Sequence, residues 1–472
     1  PREDRLGSIV TSRRVEAETM SWPETTQRNR DGVLEIGGVP LPGLATQFGT
    51  PLYIYDEQTL RGRARSIRAA FLNVYERTRI VYAGKAYLSP AIVRILNDES
   101  IGIDVVSGGE IFAGVLAGVA PAHMIFHGNN KSRVELAEGV AAGVGLIAID
   151  NDLEIELLNE VARELDREVN VLIRLNPGVD PHTHSKLRTG ALDSKFGFPI
   201  ADGQATRAVA RVVTSSRLRL LGYHAHVGSQ IFDPRLVEQT IAAMMSFAAQ
   251  VRDDHGIDPS VVVPGGGFGV ADDASGQDVS IEVWARTAAD AMRSACQRYG
   301  FSLPEMIVEP GRAIVGPAGI ALYQVGARKV ISRDRTYVSV DGGMSDNIRP
   351  ALYGARYTAC LADRESTGLP IETVTIAGKY CESGDILIER IDLPALRPGD
   401  LLAIPMTGAY CLAMASNYNL APRPAVVLVR DGAVRIIRRR ESYEDILRSD
   451  IVTPPGEAPA AYDRLSAVIG SL

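Results

Sequence analysis

The chain is poor in cysteine and contains no long apolar run. Only four cysteines occur in 472 residues, and they lie far apart without any CxxC pair. This spacing argues against a zinc site and a disulfide framework, and it is typical of proteins of the reducing cytoplasm. We find no apolar stretch of about 18 residues and no signal-peptide pattern, which predicts a cytoplasmic protein that neither spans a membrane nor is exported.

Clustered positive charge is also lacking. The net charge is -7, and the 50 lysines and arginines are spread along the chain. Nucleic acid and anionic membranes are therefore not expected partners, and a small-molecule substrate is more natural. A hydrophobic content of 46% over this length is sufficient for two or three domains, each with its own core.

The order of apolar segments predicts the domains. Residues 1–32 lack apolar periodicity and are expected to form a flexible or surface-draped leader, and 453–472 are expected to form a tail. Between them, amphipathic helical patterns separate eight β-rich runs, at about 80–85, 101–106, 124–127, 146–150, 169–175, 220–227, 261–264 and 306–309. This alternation favours an α/β fold with a (β/α)₈ barrel over 57–312.

The pattern of predicted elements changes after the last of these β-rich runs. Closely spaced strands and turns predict a second, all-β domain over 313–452. The early β-rich segments within 33–56 precede the first barrel helix, and we expect them to join the β-domain.

Polar residues follow the predicted barrel strands, which is where barrel enzymes build their sites. These residues are Lys85, Asp104, the SGGE of 107–110, the HGNNK of 127–131, Arg174, Asn176, the HAHVGSQ of 224–230, the PGGGFG of 264–269 and the EPGR of 309–312. The last two loops are rich in glycine. Barrels often bind phosphate with the loops after strands seven and eight, so Gly265, Gly266, Gly267 and Gly311 indicate a phosphate site.

Lys85 and Glu309 extend this interpretation. Alone, Lys85 could be a solvated strand-end charge, and Glu309 could be an ion-pair partner of Arg312. On strands one and eight of a closed barrel, however, they would be neighbours. An amine that forms an imine and a carboxylate that keeps a pyridine nitrogen protonated indicate pyridoxal 5'-phosphate. In this hypothesis His226 lies against the ring and Ser229 donates to the phosphate.

The histidines leave a second hypothesis open. His224 and His226 are two apart on a strand and face one side, and His182 and His184 repeat this spacing. A barrel hydrolase with metal ions would use such pairs. Such enzymes usually carry the pair on the first strand, whereas this late barrel offers glycine loops and Glu309. We therefore predict no metal, and a core histidine fits His224 better.

Ten motifs in order resemble a known family. They are YAGKAY, DVVSGGE, HGNNKS, THSKLRTGALDSKFGF, HAHVGSQ, GGGFG, EPGRAIVGPAG, DGGMSDNIRPALYGA, CESGD and GAYCLAMASNYN. The chain resembles, over about 33–450, the fold-type III pyridoxal-phosphate decarboxylases, and within them the diaminopimelate decarboxylase family of lysine biosynthesis. The resemblance implies an alanine racemase-like barrel, a C-terminal β-domain and a homodimer with active sites at the subunit interface.

The resemblance also implies roles for single residues. Lys85, His226, Glu309 and Cys381 are similar to the catalytic set. The cofactor set would add Asp104, Arg174, Ser229, Gly265, Gly266, Gly267, Pro310, Gly311, Arg312 and Tyr410. The substrate set would comprise Arg312, Arg349, Tyr353, Glu382 and Tyr410. Cys381 would protonate the carbanion and Glu382 would bind the distal ammonium, both from the neighbouring subunit.

Simple chemistry is consistent with these roles. Glu382 and Asp385 give Cys381 negative neighbours, which favours the thiol and suits a proton donor. Arg349 with Glu382 would suit a zwitterionic substrate end, whereas an ornithine or lysine decarboxylase would place acids where Arg349 lies. Decarboxylases of another amino acid, including a carrier-linked one, remain alternatives. An alanine racemase would lack CESGD, and a barrel-only cofactor carrier would lack the β-domain.

One further expectation concerns a long polar loop. The segment THSKLRTGALDSKFGF could close over the site. Thr183, His184 and Lys195 would then reach inward.

Overall fold

The computed structural model describes residues 22–179, 194–270, 279–332, 335–365 and 368–451. Its N-terminal part contains β1 (Gln27–Arg28), β2 (Leu34–Ile36), β3 (Val39–Pro40), α1 (Leu41–Phe48) and β4 (Leu52–Asp56). Strands β1, β2 and β3 form an antiparallel sheet in the order β1-β2-β3. Residues 22–32 of the expected leader are thus ordered, because β1 pairs with β2 and Thr26 is buried.

Eight parallel strands close into a barrel, as predicted. They belong to the series β5 (Thr78–Ala83), β6 (Gly102–Val105), β7 (Met124–Phe126), β8 (Leu146–Ile149), β9 (Val169–Asn176), β10 (Phe198–Pro199), β11 (Leu218–His224), β12 (Val261–Gly266) and β13 (Glu305–Glu309). The order is β9-β11-β12-β13-β5-β6-β7-β8, and β8 pairs back to β9. Strand β10 is an addition to β9 outside this ring.

Helices alternate with the barrel strands along the chain. They are α2 (Glu57–Leu72), α3 (Pro90–Asp98), α4 (Gly108–Leu116), α5 (Arg133–Ala142), α6 (Asp152–Glu164), α7 (Gln204–Val213), α8 (Arg235–His255), α9 (Ile281–Tyr299) and α10 (Arg312–Val315). Local sequence explains their starts. Ser89 precedes Pro90 at the first turn of α3, and Ser132 forms a capping box with Glu135 in α5.

The C-terminal part is a mixed sheet. It contains β14 (Gly319–Ser332), β15 (Arg335–Val340), α11 (Arg349–Tyr353), β16 (Cys360–Leu361), β17 (Ile371–Ala377), β18 (Ile386–Pro394), β19 (Leu401–Ile404), β20 (Ala425–Arg430), β21 (Ala433–Arg438) and α12 (Tyr443–Leu447). The sheet order is β18-β17-β15-β14-β4-β20-β21, and β19 pairs with β14 and β16. The class expected from the sequence, a (β/α)₈ barrel plus a separate β-domain, is confirmed.

Strand β4 brings the N-terminal part of the chain into the C-terminal sheet. It lies antiparallel to β14 and parallel to β20. Leu52 and Ile54 pack in one apolar core with Leu34, Ile320 and Val427. The exact domain limits at 57, 312 and 452 stay a prediction. Among the described residues, no helix is long and apolar enough to cross a membrane.

Candidate active site

Lys85 and Glu309 lie at the same end of neighbouring barrel strands. Lys85 is in a 3₁₀ turn, Gly84–Ala86, directly after β5, and Glu309 is the last residue of β13. Strands β5 and β13 are hydrogen-bonded neighbours in register. Both residues line one cavity of about 390 Å³. The carboxyl ends of two adjoining strands therefore bring an amine and a carboxylate into one space.

Much of the predicted cofactor set lines the same cavity. Its lining includes Ala83, Lys85, Asp104, His226, Ser229, Gly267, Phe268, Glu309, Gly311, Arg312, Ala313 and Tyr410. Arg174 lines a wider, adjoining cavity of about 980 Å³, together with Lys85, His127 and His224. Gly265 and Gly266 line an apolar cavity behind the glycine loop. The Pro310 carbonyl accepts a hydrogen bond of 3.1 Å from the Ala83 N–H.

The glycine loop needs glycine for steric reasons. Gly267 has φ of +93°, and a Cβ on it would lie 2.2 Å from the Gly228 carbonyl oxygen. A Cβ on Gly311 would lie 3.0 Å from the Ala83 Cβ. Both sites therefore keep backbone close to the cavity, as a phosphate-binding loop requires.

Two histidines converge on Glu309. His127 Nε2 lies 3.0 Å from Glu309 Oε1, and His224 Nε2 lies 3.2 Å from Glu309 Oε2. All three side chains are buried. One ring nitrogen of each histidine and one carboxylate oxygen of Glu309 lie within 4.8 Å of one another, close enough to be considered as metal ligands. The metal-hydrolase hypothesis paired His224 with His226, whereas the structure pairs His224 with His127 and Glu309.

The charge state of this cluster follows from its surroundings. Burial lowers the pKa of His224 to about 3, so its imidazole is neutral and can donate a hydrogen bond through Nε2–H. Burial alone would raise the pKa of Glu309, but His127 and His224 outweigh it and hold this pKa well below its usual value. Glu309 is thus an ionised carboxylate at neutral pH.

His226 is held differently from His224. The backbone N–H of Gly266 lies 3.3 Å from His226 Nδ1, and this bond orients the ring at the cavity wall. Burial and the nearby Lys85 lower the pKa of His226 well below its usual value. A neutral ring can lie against an aromatic cofactor without placing a second cation beside the lysine.

Asp104 and Arg174 are two buried charged residues that line the wider cavity. Burial raises the pKa of Asp104 to about 6, although His127 opposes this shift. Its Oδ1 has no hydrogen-bond partner among the described residues. Arg174 lies 3.3 Å from Asp150 and stacks over the ring of Phe196 at 4.5 Å, with burial lowering its pKa.

Arg312 and Tyr410 form the side of the cavity nearest the β-domain. The Arg312 guanidinium lies 4.8 Å from the Tyr410 ring centroid, and its Nη2 is 3.5 Å from Ser229 Oγ. The Tyr410 N–H donates to the Ala86 carbonyl at 2.7 Å. Tyr410 is therefore fixed to the turn that carries Lys85.

The remaining substrate residues lie elsewhere in this chain. Arg349 is buried and donates to the Tyr357 hydroxyl. Tyr353 ends α11, while Cys381 and Glu382 are exposed. Within the described ranges, the linings of the two cavities that contain Lys85 include none of Arg349, Tyr353, Cys381 and Glu382.

The structure describes only the last residues of the long polar loop, 194–198. Thr183 and His184 lie outside the described residues, as do His182 and the tail from 453. Lys195 is described, and its Nζ lies 5.0 Å from the Phe196 ring centroid. Phe196 lines the wider cavity, so the end of this loop borders the site.

The sequence placed His127 among the polar residues that follow predicted strands but gave it no specific role, and His224 was interpreted as a core histidine. His127 directly follows β7, which is the same signal that identified Lys85 after β5. Asp150, which follows β8 and faces Arg174, was missed for the same reason. A polar residue immediately after a barrel strand is the pattern that marks His127 and Asp150, whereas His224 is the last residue of β11 itself.

Comparison with known proteins identifies the class. The family "Pyridoxal-dependent decarboxylase, pyridoxal binding domain" matches residues 59–316. Together with the closed barrel and its lysine, this match defines a pyridoxal phosphate-dependent decarboxylase. The diaminopimelate decarboxylase of Bacillus subtilis (strain 168) is 44% identical over 90% of this chain and 97% of its own length.

Solved structures of similar proteins point to the same family. A crystal structure of diaminopimelate decarboxylase from M. jannaschii has a TM-score of 0.86 and 34% identity, covering 92% of this chain and 99% of that one. A structure from the same organism in co-complex with L-lysine has a TM-score of 0.84 and 33% identity, covering 92% and 99%. The chain belongs to the diaminopimelate decarboxylase family, and its activity is that of this carbon–carbon lyase.

Proposed function

We propose that the chain decarboxylates meso-diaminopimelate to L-lysine and CO₂, with pyridoxal 5'-phosphate on Lys85. The observation that carries this proposal is the single cavity that holds Lys85, Glu309, His226 and the glycine backbone of Gly267. An amine, an ionised carboxylate, a neutral ring and a glycine-rich stretch of backbone suit the four parts of this cofactor. The lysine complex of the M. jannaschii enzyme supports lysine as the product.

The cofactor, when bound, supplies an electron sink for the pair released at the substrate carbon. The chain supplies the residues that would bind the cofactor. Glu309, held ionised by two histidines, would face the ring nitrogen and keep it protonated. Gly267, Gly311, Ser229 and Tyr410 would bind the phosphate, because backbone N–H groups and hydroxyls there surround the cavity.

The substrate end requires two charges. Arg312, Arg349 and Tyr353 would bind the distal carboxylate, because the planar guanidinium can donate two parallel hydrogen bonds. Glu382 would bind the distal ammonium. A bare ammonium, as in ornithine, would offer the two guanidinium groups no carboxylate, so the hydrogen bonds to a distal carboxylate would be lost.

Cys381 is proposed as the proton donor after CO₂ leaves. A positioned acid is needed because the carbanion must be protonated on one face. Cys381 and Glu382 are exposed on a loop of the β-domain, away from the lining of the cavity in their own chain. This placement supports a homodimer in which each subunit donates both residues to its partner.

The proposed location is the cytoplasm. Cys296, Cys360, Cys381 and Cys411 are all free thiols, which suits a reducing compartment and a cysteine that acts as an acid.

Product analysis tests the proposal. The purified protein, supplied with pyridoxal phosphate, is incubated separately with meso-diaminopimelate and with ornithine, and the products are identified by mass spectrometry. Lysine from the first and no putrescine from the second is the expected result. Putrescine as the main product would assign the chain to another substrate.

A further inference from the structure

Cys381 lies on an irregular loop, yet both of its backbone polar groups are bound. The loop joins β17 to β18, and the cysteine is exposed. Its N–H donates to Asn419 Oδ1 at 3.2 Å, and its carbonyl accepts from the Tyr418 hydroxyl at 3.3 Å. Two consecutive residues of a distant segment thus hold the peptide groups on either side of one exposed cysteine.

A buried carboxylate holds the same loop from within. Asp385 is only 3% exposed. Its Oδ2 accepts from the Tyr380 N–H at 2.8 Å, and its Oδ1 accepts from the Met344 N–H at 2.6 Å. The carboxylate therefore joins the residue before Cys381 to the DGGMSDN segment (341–347), which ends two residues before Arg349.

The backbone of two glycines lies so close to the Asp385 carboxylate that neither position could carry a side chain. A Cβ on Gly343 would lie 2.3 Å from Asp385 Oδ1, and a Cβ on Gly378 would lie 2.2 Å from Oδ2. Two glycines of separate segments are thus required for the carboxylate to occupy this position.

The segment that carries Tyr418 and Asn419 is itself fixed. Ser345 Oγ donates to the Ser416 carbonyl at 2.7 Å, and the Ser416 N–H donates to the Ser345 carbonyl at 2.8 Å. The rings of Tyr380 and Tyr418 pack edge to face with centroids 6.2 Å apart. Three segments, 343–346, 380–385 and 416–419, form one hydrogen-bonded unit around Cys381.

We propose that Asp385, Tyr418 and Asn419 are positioning residues that aim the Cys381 thiol at the neighbouring active site. This inference rests on the proposed role of Cys381 as the proton donor. A general acid contributes only when its donor atom lies within hydrogen-bond reach of the reacting carbon, so a loop without these bonds would lose rate and facial control together. A polar turn without function would need neither a bound cysteine backbone nor a buried carboxylate beneath it.

The test uses two mild variants of the holoenzyme and a rescue. Asn419→Gly removes the acceptor and tolerates the φ of +53° at this position. Tyr418→Phe removes only the hydroxyl. Asn419→Asp keeps an acceptor for the Cys381 N–H and serves as the conservative control. Cys381→Ala measures the full loss of the donor, which we expect to be roughly a hundredfold or more in kcat.

We expect kcat of Asn419→Gly and Tyr418→Phe to fall roughly tenfold or more, with KM, melting temperature and the visible absorbance of the bound cofactor unchanged. Asn419→Asp restores most of kcat. In D₂O, wild-type protein places deuterium in one configuration at the carbon that lost CO₂, and the two variants give mixed configurations by NMR. Alkylation of Cys381 by iodoacetamide, followed by peptide mass spectrometry, accelerates severalfold while that of Cys360 does not.

The outcomes separate this inference from the proposed function. If Cys381→Ala retains wild-type kcat, the assignment of the donor fails. If Cys381→Ala is impaired but both variants keep wild-type kcat, deuterium configuration and alkylation rate, the positioning inference alone is overturned. A lower melting temperature together with weaker cofactor absorbance in both variants would also overturn the inference. The bonds would then maintain the fold rather than aim the thiol.

Discussion

His224 Nε2 lies 3.2 Å from Glu309 Oε2, and both residues are buried at the mouth of the barrel. With His127 at the other carboxylate oxygen, this contact holds Glu309 in its ionised form. In the function proposed above, this carboxylate would stabilise a protonated ring nitrogen, which is the condition for the cofactor to act as an electron sink.

The first prediction concerns this contact. His224→Phe keeps an aromatic ring but removes the donor, so the pKa of Glu309 rises and its hold on the ring nitrogen weakens. A hydrogen bond to a charged group contributes ~1.5–3 kcal/mol, so we expect cofactor affinity to fall roughly ten- to a hundredfold. Spectral titration of apoprotein with pyridoxal phosphate measures it. His123→Phe, at an exposed histidine, is the control, and equal affinities in the two variants would refute the prediction.

A buried ion pair gives the second prediction. Lys131 Nζ lies 2.9 Å from Glu154 Oε2 and also donates to the Gly128 and Ala148 carbonyls. Breaking such a pair leaves a buried charge, which costs about 3–5 kcal/mol. Glu154→Gln should lower the free energy of unfolding by this amount in urea titrations.

The control for the ion pair is Glu164→Gln. Glu164 pairs with Arg133 on the surface, where solvent screening leaves little net stabilisation. We expect its unfolding midpoint to equal that of the wild type. A Glu154→Gln midpoint that also stays unchanged would show that the buried pair does not stabilise the fold.

The third prediction is a pH dependence. Burial raises the pKa of Asp346 to about 6 from 3.8, although Tyr323, Gly343 and Tyr53 donate hydrogen bonds to it. Because the folded-state pKa lies above the unfolded one, its contribution to stability is fully present below about pH 4 and is lost as pH rises through 6.

Asp346→Asn removes this titration. The variant is less stable overall, because an amide cannot accept all of these bonds, but its free energy of unfolding should fall less than that of the wild type between about pH 4 and pH 6. Urea unfolding at several pH values measures both slopes. Parallel slopes would mean that Asp346 does not titrate in this range.

The fourth prediction tests the glycine loop. Gly267→Ala forces a Cβ to 2.2 Å from the Gly228 carbonyl at a φ of +93°, and such strain costs about 1–3 kcal/mol. We expect displacement of the loop and loss of bound cofactor on gel filtration. Gly43→Ala, which meets no atom within 4 Å, should keep its cofactor. Retention of wild-type affinity by Gly267→Ala would remove the phosphate role of this loop.

The strands and much of the site could be predicted because they depend on local signals. A β-rich run followed by a polar residue identifies both the strand and the residue at its carboxyl end, as for Lys85 and Glu309. The contact of Glu309 with His127 and His224 could not be predicted in this way, because no two of β7, β11 and β13 are neighbours in the barrel. The three side chains meet only across its closed mouth.

Residues of the β-domain were harder still. Arg349 precedes a proline and resembles a surface residue, but it is buried and donates to the Tyr357 hydroxyl, which itself lies 3.5 Å from Cys411 Sγ. Local sequence does not specify such packing. The binding of Cys381 by Tyr418 and Asn419 depends likewise on segments about 40 residues apart.

The central claim is that Lys85 carries the cofactor, and covalent trapping tests it most directly. The holoenzyme is reduced with borohydride, digested and mapped by mass spectrometry, with Lys85→Ala as the comparison. The account predicts a pyridoxyl group on the peptide that contains Lys85 and none on any peptide of the variant. A pyridoxyl group on another lysine, at full occupancy and with Lys85 unmodified, would contradict it.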